Sequence, residues 1–487
     1  MLEQSGEAVW ASVCDGVRSA VEAAGIDAKR ISGIGFSAVS AVVALDESHA
    51  PCSVSLNDEP GLNVILDSDQ RARAEADAIN ATADPALRYC GGAVSPEHAL
   101  PRLLWLQRHR PECYRQAAIF LDLSEYLVYR ASGVALRSQS VIGCQWLYLC
   151  HRDEWPTGLF EAVGLGDLQA SGRLGHCVRS AGEPAGSITP DAADALGLPG
   201  GTVVASAMLD VAAGGTGLLG DEPAGRLALV GGPFARHVAV SEAPVFAPGV
   251  RGPVQGAIGP GHWVSYTAQN AFGTLLDSVI NDSAGYPQLL RGAQQTGRPV
   301  GDVLTDRVRT LQSQEGNPAR SLHVLDFHAD HRAPPTDLGI SDMISGANLD
   351  QDVDALARRY LATIQALCYR TRYIAELMSR SGHTLQAIRA CGPMADNPLW
   401  CRELADATGL ALERPRAGDP VLVGAAAAAA TASGAFGSLA EAMSTWTRDI
   451  ELIEPQMARA HLHDAKYRVY RRLYDDPSTH RELMTRV

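Results

Sequence analysis

The chain has 487 residues, 46% hydrophobic and 20% charged, the balance of a soluble globular protein too long for one ordinary core, so two domains are expected. Its formal net charge of −14 argues against nucleic acid or an anionic membrane as a general partner, and its plainest reading is an acidic, soluble surface. Ten cysteines are scattered with no C-x-x-C pair and no zinc-type spacing, which points to reduced thiols and a cytoplasmic address.

Residues Val9–Ala24 carry apolar side chains at helical spacing and stop near Gly25. The opening is therefore an amphipathic helix with acidic residues rather than a basic–apolar leader. Ile31–Asp46 reads as two strands joined by a turn. Asn63–Thr82 begins extended and becomes helical at Asp69–Ile79. Pro101–Arg110 and Glu112–Ala118 read as short helices, Phe120–Arg130 as another, and Pro190–Leu196 as a brief helix before a strand over Gly201–Leu209. The run Val204–Gly220, VASAMLDVAAGGTGLLG, carries one carboxylate, Asp210, from a buried apolar strand into a loop rich in Ala and Gly. A carboxylate at that end of a strand is well placed to act on a ligand beyond the sheet. A loop-capping role is the alternative, and the residues alone weigh the two evenly.

After Gly220 the polar turn DEPAGR marks a domain boundary, dividing 1–220 from 224–487. A second apolar strand at Leu227–Gly231 repeats the strand-to-loop design. A long helix over Leu356–Arg380 is broken at Ser381-Gly382, and a strand at Ala387–Cys391 and a helix at Pro398–Thr408 follow. Val421–Ser433 is an alanine-lined helix whose small side chains permit close packing, a reading that outweighs cofactor contact. Its apolar run is too short and alanine-rich to span a membrane. Two α/β halves, each with a strand entering a glycine-containing loop, suggest a ligand cleft between domains.

Several segments carry a resemblance together: EQSGEAVW at Glu3–Trp10, GIGFSAVSAVVALD at Gly33–Asp46, NVILDSDQRA at Asn63–Ala72 and GGAVSPEHALPRLLWL at Gly91–Leu106. SEAPVFAPGVRGP at Ser241–Pro253, YLATIQALCYRTRYI at Tyr360–Ile374 and NPLW at Asn397–Trp400 extend it. On these residues the chain resembles the FGGY family of carbohydrate kinases, in its ribulokinase-like branch, over almost the whole length. The resemblance implies an α/β, two-domain actin-like ATPase (ribonuclease H-like) fold with an interdomain cleft. It implies ATP and Mg²⁺ as cofactors, a small-molecule sugar or polyol as substrate, and a homodimer. The implied chemistry is γ-phosphoryl transfer to a sugar or polyol hydroxyl, which is mainly positioning and charge stabilisation with a base taking the proton. By resemblance Asp210 is that base. Ala38, Gln145 and Tyr266 stand at substrate-side positions, and Gly231, Gly232, Gln269, Gly392 and Asn397 at nucleotide-side positions.

The pattern departs from the family at defined places. The family opens with a β-hairpin bearing an Asp-x-Gly-Thr loop, and this chain begins after it, at the Glu3–Trp10 match. Gly231-Gly232-Pro233 stands for Gly-Thr-Ser, so both hydroxyls are gone and Pro233 has no N–H for a phosphate oxygen. Gly392-Pro393 stands for a Gly-Gly pair, trading a small, permissive residue for a bulky, restricted one. Thr267, Ala268 and Phe272 crowd the space around Gln269. On the substrate side Ser37 replaces an aspartate, Gln145 a lysine and Tyr266 a glutamate, which removes polar anchors or selects a less polar ligand.

Three readings stay open. The first is an ATP-dependent kinase of a ketopentose or related polyol, with Asp210 as base and Mg²⁺ bridging the phosphates. The second is a pseudokinase kept as a binding, scaffolding or regulatory protein. The third is another actin-fold enzyme using the Asp210 carboxylate for a different reaction. Asp69 and Arg71 in DQRA read as a structural ion pair. His328, Asp330 and His331, within Asp326–Asp337, are too weakly spaced to read as a metal-ligand set, and the second histidine reads as solvent-facing.

Overall fold

The computed structural model describes residues 2–220, 222–269, 272–325, 343–347, 350–416, 418–447 and 449–475. The chain forms two compact units that interleave along the sequence. The first comprises residues 1–224, 238–266 and 417–449, and the second 225–237, 267–416 and 450–487.

In the first unit the opening helix, Gly6–Ala24, starts where the Ser5 side chain accepts from the Ala8 N–H and stops at Gly25, whose φ of 62 is left-handed. Ile31–Asp46 does not form a hairpin. It makes three short strands, Gly33–Ile34, Ser37–Ala38 and Ala41–Leu45, none paired with another. The reason lies in Ala41–Leu45, which is buried at every position and so occupies the middle of a sheet, with Val64–Leu66 on one side and Ile119–Asp122 on the other. Glu3–Gln4 pairs with the far edge of Val64–Leu66. Helical structure after it begins only at Arg73, because Asp69 and Arg71 are held in a turn by their ion pair. Arg71 Nε donates to Asp69 Oδ1 (2.9 Å) and Nη2 to Oδ2 (2.7 Å).

The segment read as a helix from Phe120 is a strand, Ile119–Asp122, followed by a helix over Leu123–Ser132. The switch falls at Asp122, whose N–H donates to Glu125 Oε2 (3.0 Å), the D-x-x-E signature of a helix start.

The two strands left over from Ile31–Asp46 run parallel to the approach of Asp210. Val203 and Val204 face Gly33 and Ile34, and Met208 and Leu209 face Ser37 and Ala38. The Ala/Gly-rich stretch after Leu209 is not a loop but a helix, Asp210–Leu219. Each glycine inside it costs up to about 1 kcal/mol of helix propensity, and tertiary approach overrides that cost. A Cβ on Gly217 would lie 2.0 Å from the Pro420 carbonyl oxygen, and one on Gly424 would lie 2.0 Å from that of Ala213. The partner is the alanine helix, Pro420–Ala432, whose other side receives Gly33 and Gly35 against the carbonyls of Ala429 and Ala425. Its small side chains serve close packing.

In the second unit Arg226–Gly231, Ala387–Cys391 and Ala411–Pro415 run parallel, and Ile450–Ile453 closes the edge antiparallel. A 29-residue helix, Val353–Ser381, buries Leu356, Leu361, Ile364 and Leu367. The C-terminal helix Met457–Asp475 is fastened through charge. Arg459 Nη2 donates to Glu403 Oε1 (2.5 Å), and the buried Lys466 Nζ donates to Gln365 Oε1 (2.5 Å) and the Ala319 carbonyl (2.5 Å).

All ten cysteines are free. Among the described residues no helix is long and apolar enough to cross a membrane, and no group of three or more His, Cys, Asp or Glu is disposed to hold a metal. His328, Asp330 and His331 lie outside the described residues.

Candidate functional site

Each unit carries one set of the positions singled out by the sequence. In the first, Asp210 opens its helix half-buried, with Oδ1 accepting from the Val211 N–H (2.7 Å). The parallel register puts Ala38 opposite Leu209, one residue before Asp210, and Ser37 opposite Met208. Gln145 ends the helix Gln139–Gln145, which is tied to the same strand. The Leu209 N–H donates to Ser140 Oγ (3.2 Å), and Ser138 Oγ donates to the Ala207 carbonyl (2.6 Å). Burial pushes the Cys144 thiol well up, and the Asp210 carboxylate adds a smaller push, so the residue before Gln145 lies within electrostatic reach of Asp210.

Tyr266 joins this group through the main chain, its hydroxyl donating to the Cys144 carbonyl (2.7 Å). Burial raises its phenol well above the ordinary range, opposed by Arg251. Arg251 is held in turn by Glu97 (2.6 Å). Tyr266 thus braces the peptide ahead of Gln145. Two polar atoms on these segments, Gln145 Oε1 and Ser37 Oγ, are buried without a hydrogen-bond partner, and Gln145 as a whole is only 6% exposed. Orphaned buried acceptors and hydroxyls of this kind are rare in folded proteins and ask for a ligand or water.

The second unit contains a cavity of about 590 Å³, within the size range of small-molecule sites. Gly232 and Asn397 line it; Gly231, Gln269 and Gly392 do not. Leu276, Ile280, Val300 and Met394 make an apolar wall, Thr305, Tyr360 and Asn397 a polar floor, and Asp277 and Asp302 an acidic side. Burial raises the Tyr360 phenol, with lesser contributions from Asp302 and Asp277, which places both carboxylates near that hydroxyl. Asn397 is built in as a helix cap. Its Oδ1 accepts from the Leu399 N–H (2.9 Å), and its Nδ2 donates to the Tyr360 hydroxyl (2.7 Å).

Gly231 and Gly392 meet each other instead of the cavity. Gly392 has φ of 89, and a Cβ there would stand 1.7 Å from the Gly231 carbonyl oxygen. The turn beyond Gly231 is closed on itself: the Gly232 N–H donates to the Phe234 carbonyl (2.8 Å), while Gly232 and Pro233 carbonyls accept from Gly273 (3.1 Å) and Phe272 (3.1 Å). Gln269 is buried at the end of the strand Trp263–Gln269.

The sequence reading missed Asp277, Asp302, Thr305 and Tyr360. The first three sit on helices, Gly273–Asn281 and Val300–Glu315, that it had not assigned. The signal was present: Val300, Leu304, Val308 and Leu311 recur at helical spacing.

Family models for the N-terminal and C-terminal domains of the FGGY family of carbohydrate kinases match residues 1–217 and 227–433. An FGGY carbohydrate kinase domain-containing protein of Homo sapiens is 34% identical, with 99% of this chain and 90% of that one covered. A D-ribulokinase of Saccharomyces cerevisiae is 31% identical, with 89% and 67% covered, and a ribulokinase of Mycolicibacterium smegmatis 26%, with 97% and 84% covered. Among solved structures, a xylulose kinase from Rhodospirillum rubrum shares the fold with a TM-score of 0.78 at 20% identity, over 97% of this chain and 90% of that one.

Proposed function

The chain belongs to the FGGY family of carbohydrate kinases, and from that premise we propose that it phosphorylates a ketopentose (ribulose-like) or related polyol at the expense of ATP, with Asp210 as general base. The observation that carries the reading is the convergence on Asp210 of two segments with orphaned buried polar atoms, Ser37 Oγ and Gln145 Oε1. A polyhydroxylated ligand supplies the partners these atoms lack. Gln145 and Tyr266 bring no formal charge, which suits a neutral sugar. The names of the ribulokinase relatives support a ketopentose.

Asp210 would accept the proton of the attacking hydroxyl, a role in which a positioned carboxylate contributes about 10²–10⁴-fold. Its place in the first turn of a helix favours the charged form that a base requires. Gly217 and Gly424 hold that helix against Pro420–Ala432 by backbone contact, and Gly33 and Gly35 seat Pro420–Ala432 in turn, so the carboxylate is presented from a rigid platform.

The residues of the second unit fit a nucleotide. The apolar wall suits a base, and the Thr305, Tyr360 and Asn397 side chains suit ribose hydroxyls. When bound, MgATP supplies the transferable phosphoryl group and the metal's charge. Mg²⁺ is commonly held by one or two carboxylates together with phosphates, and Asp277 and Asp302 would be the residues of this cavity to hold it. We take 1–220 and 224–487 as the inherited domains and the cytoplasm as the setting, on the ground of ten unpaired thiols.

A second reading, a pseudokinase, is favoured by the closed turn at Gly231–Phe234. The Gly232 N–H is already bonded and Pro233 has none, so neither residue offers an N–H to a phosphate. An ADP-release assay over a panel of ketopentoses and polyols tests both readings. Turnover of at least one ketopentose is expected, with Asp210→Asn lowering kcat by about 10²–10⁴-fold while still binding the sugar. A folded protein that binds neither MgATP nor turns over any sugar establishes the second reading instead.

A further inference from the structure

Behind the Asp210 face lies a buried polar relay that the proposed chemistry does not use directly. Asp122, at the end of the strand Ile119–Asp122, is fully buried. Its Oδ2 accepts from two side chains, Ser40 Oγ (2.9 Å) and Trp146 Nε1 (3.2 Å). Ser40 stands two residues after Ala38, and Trp146 directly follows Gln145. One carboxylate oxygen therefore clamps both segments that flank Asp210. The relay continues through the main chain. The Asp122 N–H donates to Glu125 Oε2 (3.0 Å), Glu125 Oε1 accepts from the Ser138 N–H (2.9 Å), and Ser138 Oγ reaches the Ala207 carbonyl (2.6 Å). That carbonyl belongs to the approach of Asp210 itself.

We propose that Asp122 is a positioning residue for the polyol site, fixing Ala38 and Gln145 against Asp210 by holding Ser40 and Trp146 on one oxygen. The proposal rests on the reading of the Asp210 face as a polyol site. A buried carboxylate that accepts two hydrogen bonds from different segments is a stronger constraint than a neutral acceptor, because charge-assisted bonds are shorter and roughly twice as strong.

The clamp is tunable. Burial, with Glu125 adding to it, pushes the Asp122 carboxyl up to about 7, and its other oxygen, Oδ1, is buried without a partner and free to take the proton. The charged groups facing it are Glu125 on the following helix, Arg137 beside Glu125 (3.3 Å), and Arg102, which itself stands among Asp67, Glu97 and Asp69. Arg137 also lies over the Trp146 ring, 4.3 Å from its centre. Above neutrality the clamp is charged and tight; below it the carboxyl is neutral and the hold on Ser40 and Trp146 weakens.

The experiment is calorimetric titration of the full chain with D-ribulose between pH 5.5 and 8.5, alongside tryptophan fluorescence without ligand. Wild-type affinity is expected to fall about tenfold across the range as pH drops. Asp122→Asn is expected to bind about tenfold more weakly at pH 8.5 with a flat profile. Ser40→Ala and Trp146→Phe each remove one donor and leave the carboxylate, and each is expected to weaken binding, so the proposal stays testable if Asp122→Asn does not fold. An Asp122→Asn profile that tracks the wild type, or Ser40→Ala and Trp146→Phe both binding like the wild type, overturns it. If the wild type binds no ketopentose, the polyol reading fails by itself. The clamp is then read from fluorescence: a transition near pH 7 that disappears in Asp122→Asn and Trp146→Phe supports it, and one that persists in Asp122→Asn overturns it.

Discussion

Gly392→Ala separates a fold role from a ligand role at the glycine pair that the family pattern assigns to the nucleotide. Gly392 has φ of 89 and ψ of 176, a region essentially restricted to glycine that costs any other residue about 1–3 kcal/mol. The added Cβ would also stand 1.7 Å from the Gly231 carbonyl oxygen and 2.8 Å from its carbon. Both atoms are main chain, in a parallel pair whose register ends at Val230 opposite Cys391, so neither can rotate away. Relief requires the strand ends to part, at a cost of one or two hydrogen bonds worth about 1 kcal/mol each. The sum is about 2–5 kcal/mol, which for a unit of about 200 residues lowers its melting temperature by about 10 °C. Differential scanning calorimetry of the ligand-free chain reads this directly. Gly409→Ala is the control. Its φ is 69 but nothing lies within 4 Å of a Cβ, so it costs about 1 kcal/mol. If the two variants melt within 2 °C of each other, the close-approach argument is wrong and Gly392 is kept small for a ligand.

Two further outcomes follow from the packing. Gly217→Ala gains up to about 1 kcal/mol of helix propensity, yet its Cβ would lie 2.0 Å from the Pro420 oxygen and 2.8 Å from the Gly424 nitrogen. Urea unfolding is expected to show a net loss of about 2–3 kcal/mol, and a gain refutes the crossing. His237 is buried against Thr371, and burial, with Arg370 adding, holds its imidazole down to about 3. The unfolded chain takes up that proton near pH 6.5 and the folded one does not, so its stabilisation is complete above 6.5 and lost as pH falls from there toward 3. The slope is about 1.4 kcal/mol per pH unit. His237→Leu is expected to flatten the stability profile between pH 6.5 and 4, and an unchanged slope counts against a neutral buried imidazole.

What could be read from the sequence is what local chemistry decides. The opening helix announces its end at Gly25, and Pro190–Leu196 is bounded by Thr189, whose side chain caps it, and by Gly197 in the left-handed region. Ala387–Cys391 and Pro398–Thr408 were equally plain, as an apolar strand and a helix behind Asn397. The misreadings come where distant partners decide. The helix at Asp210–Leu219 contradicts its own glycines and forms because Pro420 and Gly424, some two hundred positions later, present bare backbone to it. Ile31–Asp46 alternates like a hairpin but is divided among three sheets, where its strands pair with residues 64–66, 119–122 and 203–209. At the site, Asp210 and Ala38 were legible through the family pattern. That Tyr266 spends its hydroxyl on the Cys144 carbonyl, and that Asp122 joins Ser40 to Trp146, depends on tertiary placement no local pattern encodes.

The glycines of this chain divide by what surrounds them, and that division bears on its activity. Gly33, Gly35, Gly217, Gly392 and Gly424 each lie so close to a main-chain carbonyl that a Cβ would fall within 2.6 Å of its oxygen. Substituting any of them costs fold stability before it touches chemistry. Gly232 is different, since a Cβ there would meet nothing nearer than the Phe234 oxygen at 3.6 Å, and its neighbour Pro233 is exposed. Residues 232 and 233 can thus depart from the Gly-Thr-Ser pattern without a main-chain clash at Gly232, whereas a change at the fold-bearing glycines costs stability. An intact kinase architecture is therefore what selection for folding alone would leave, whether or not phosphoryl transfer continues. The evidence for transfer must come from groups whose only use is a ligand. Ser37 Oγ and Gln145 Oε1, on segments tied to the strand that precedes Asp210, are candidates for such groups: each is buried with no hydrogen-bond partner, at a desolvation cost of about 1–3 kcal/mol until something binds.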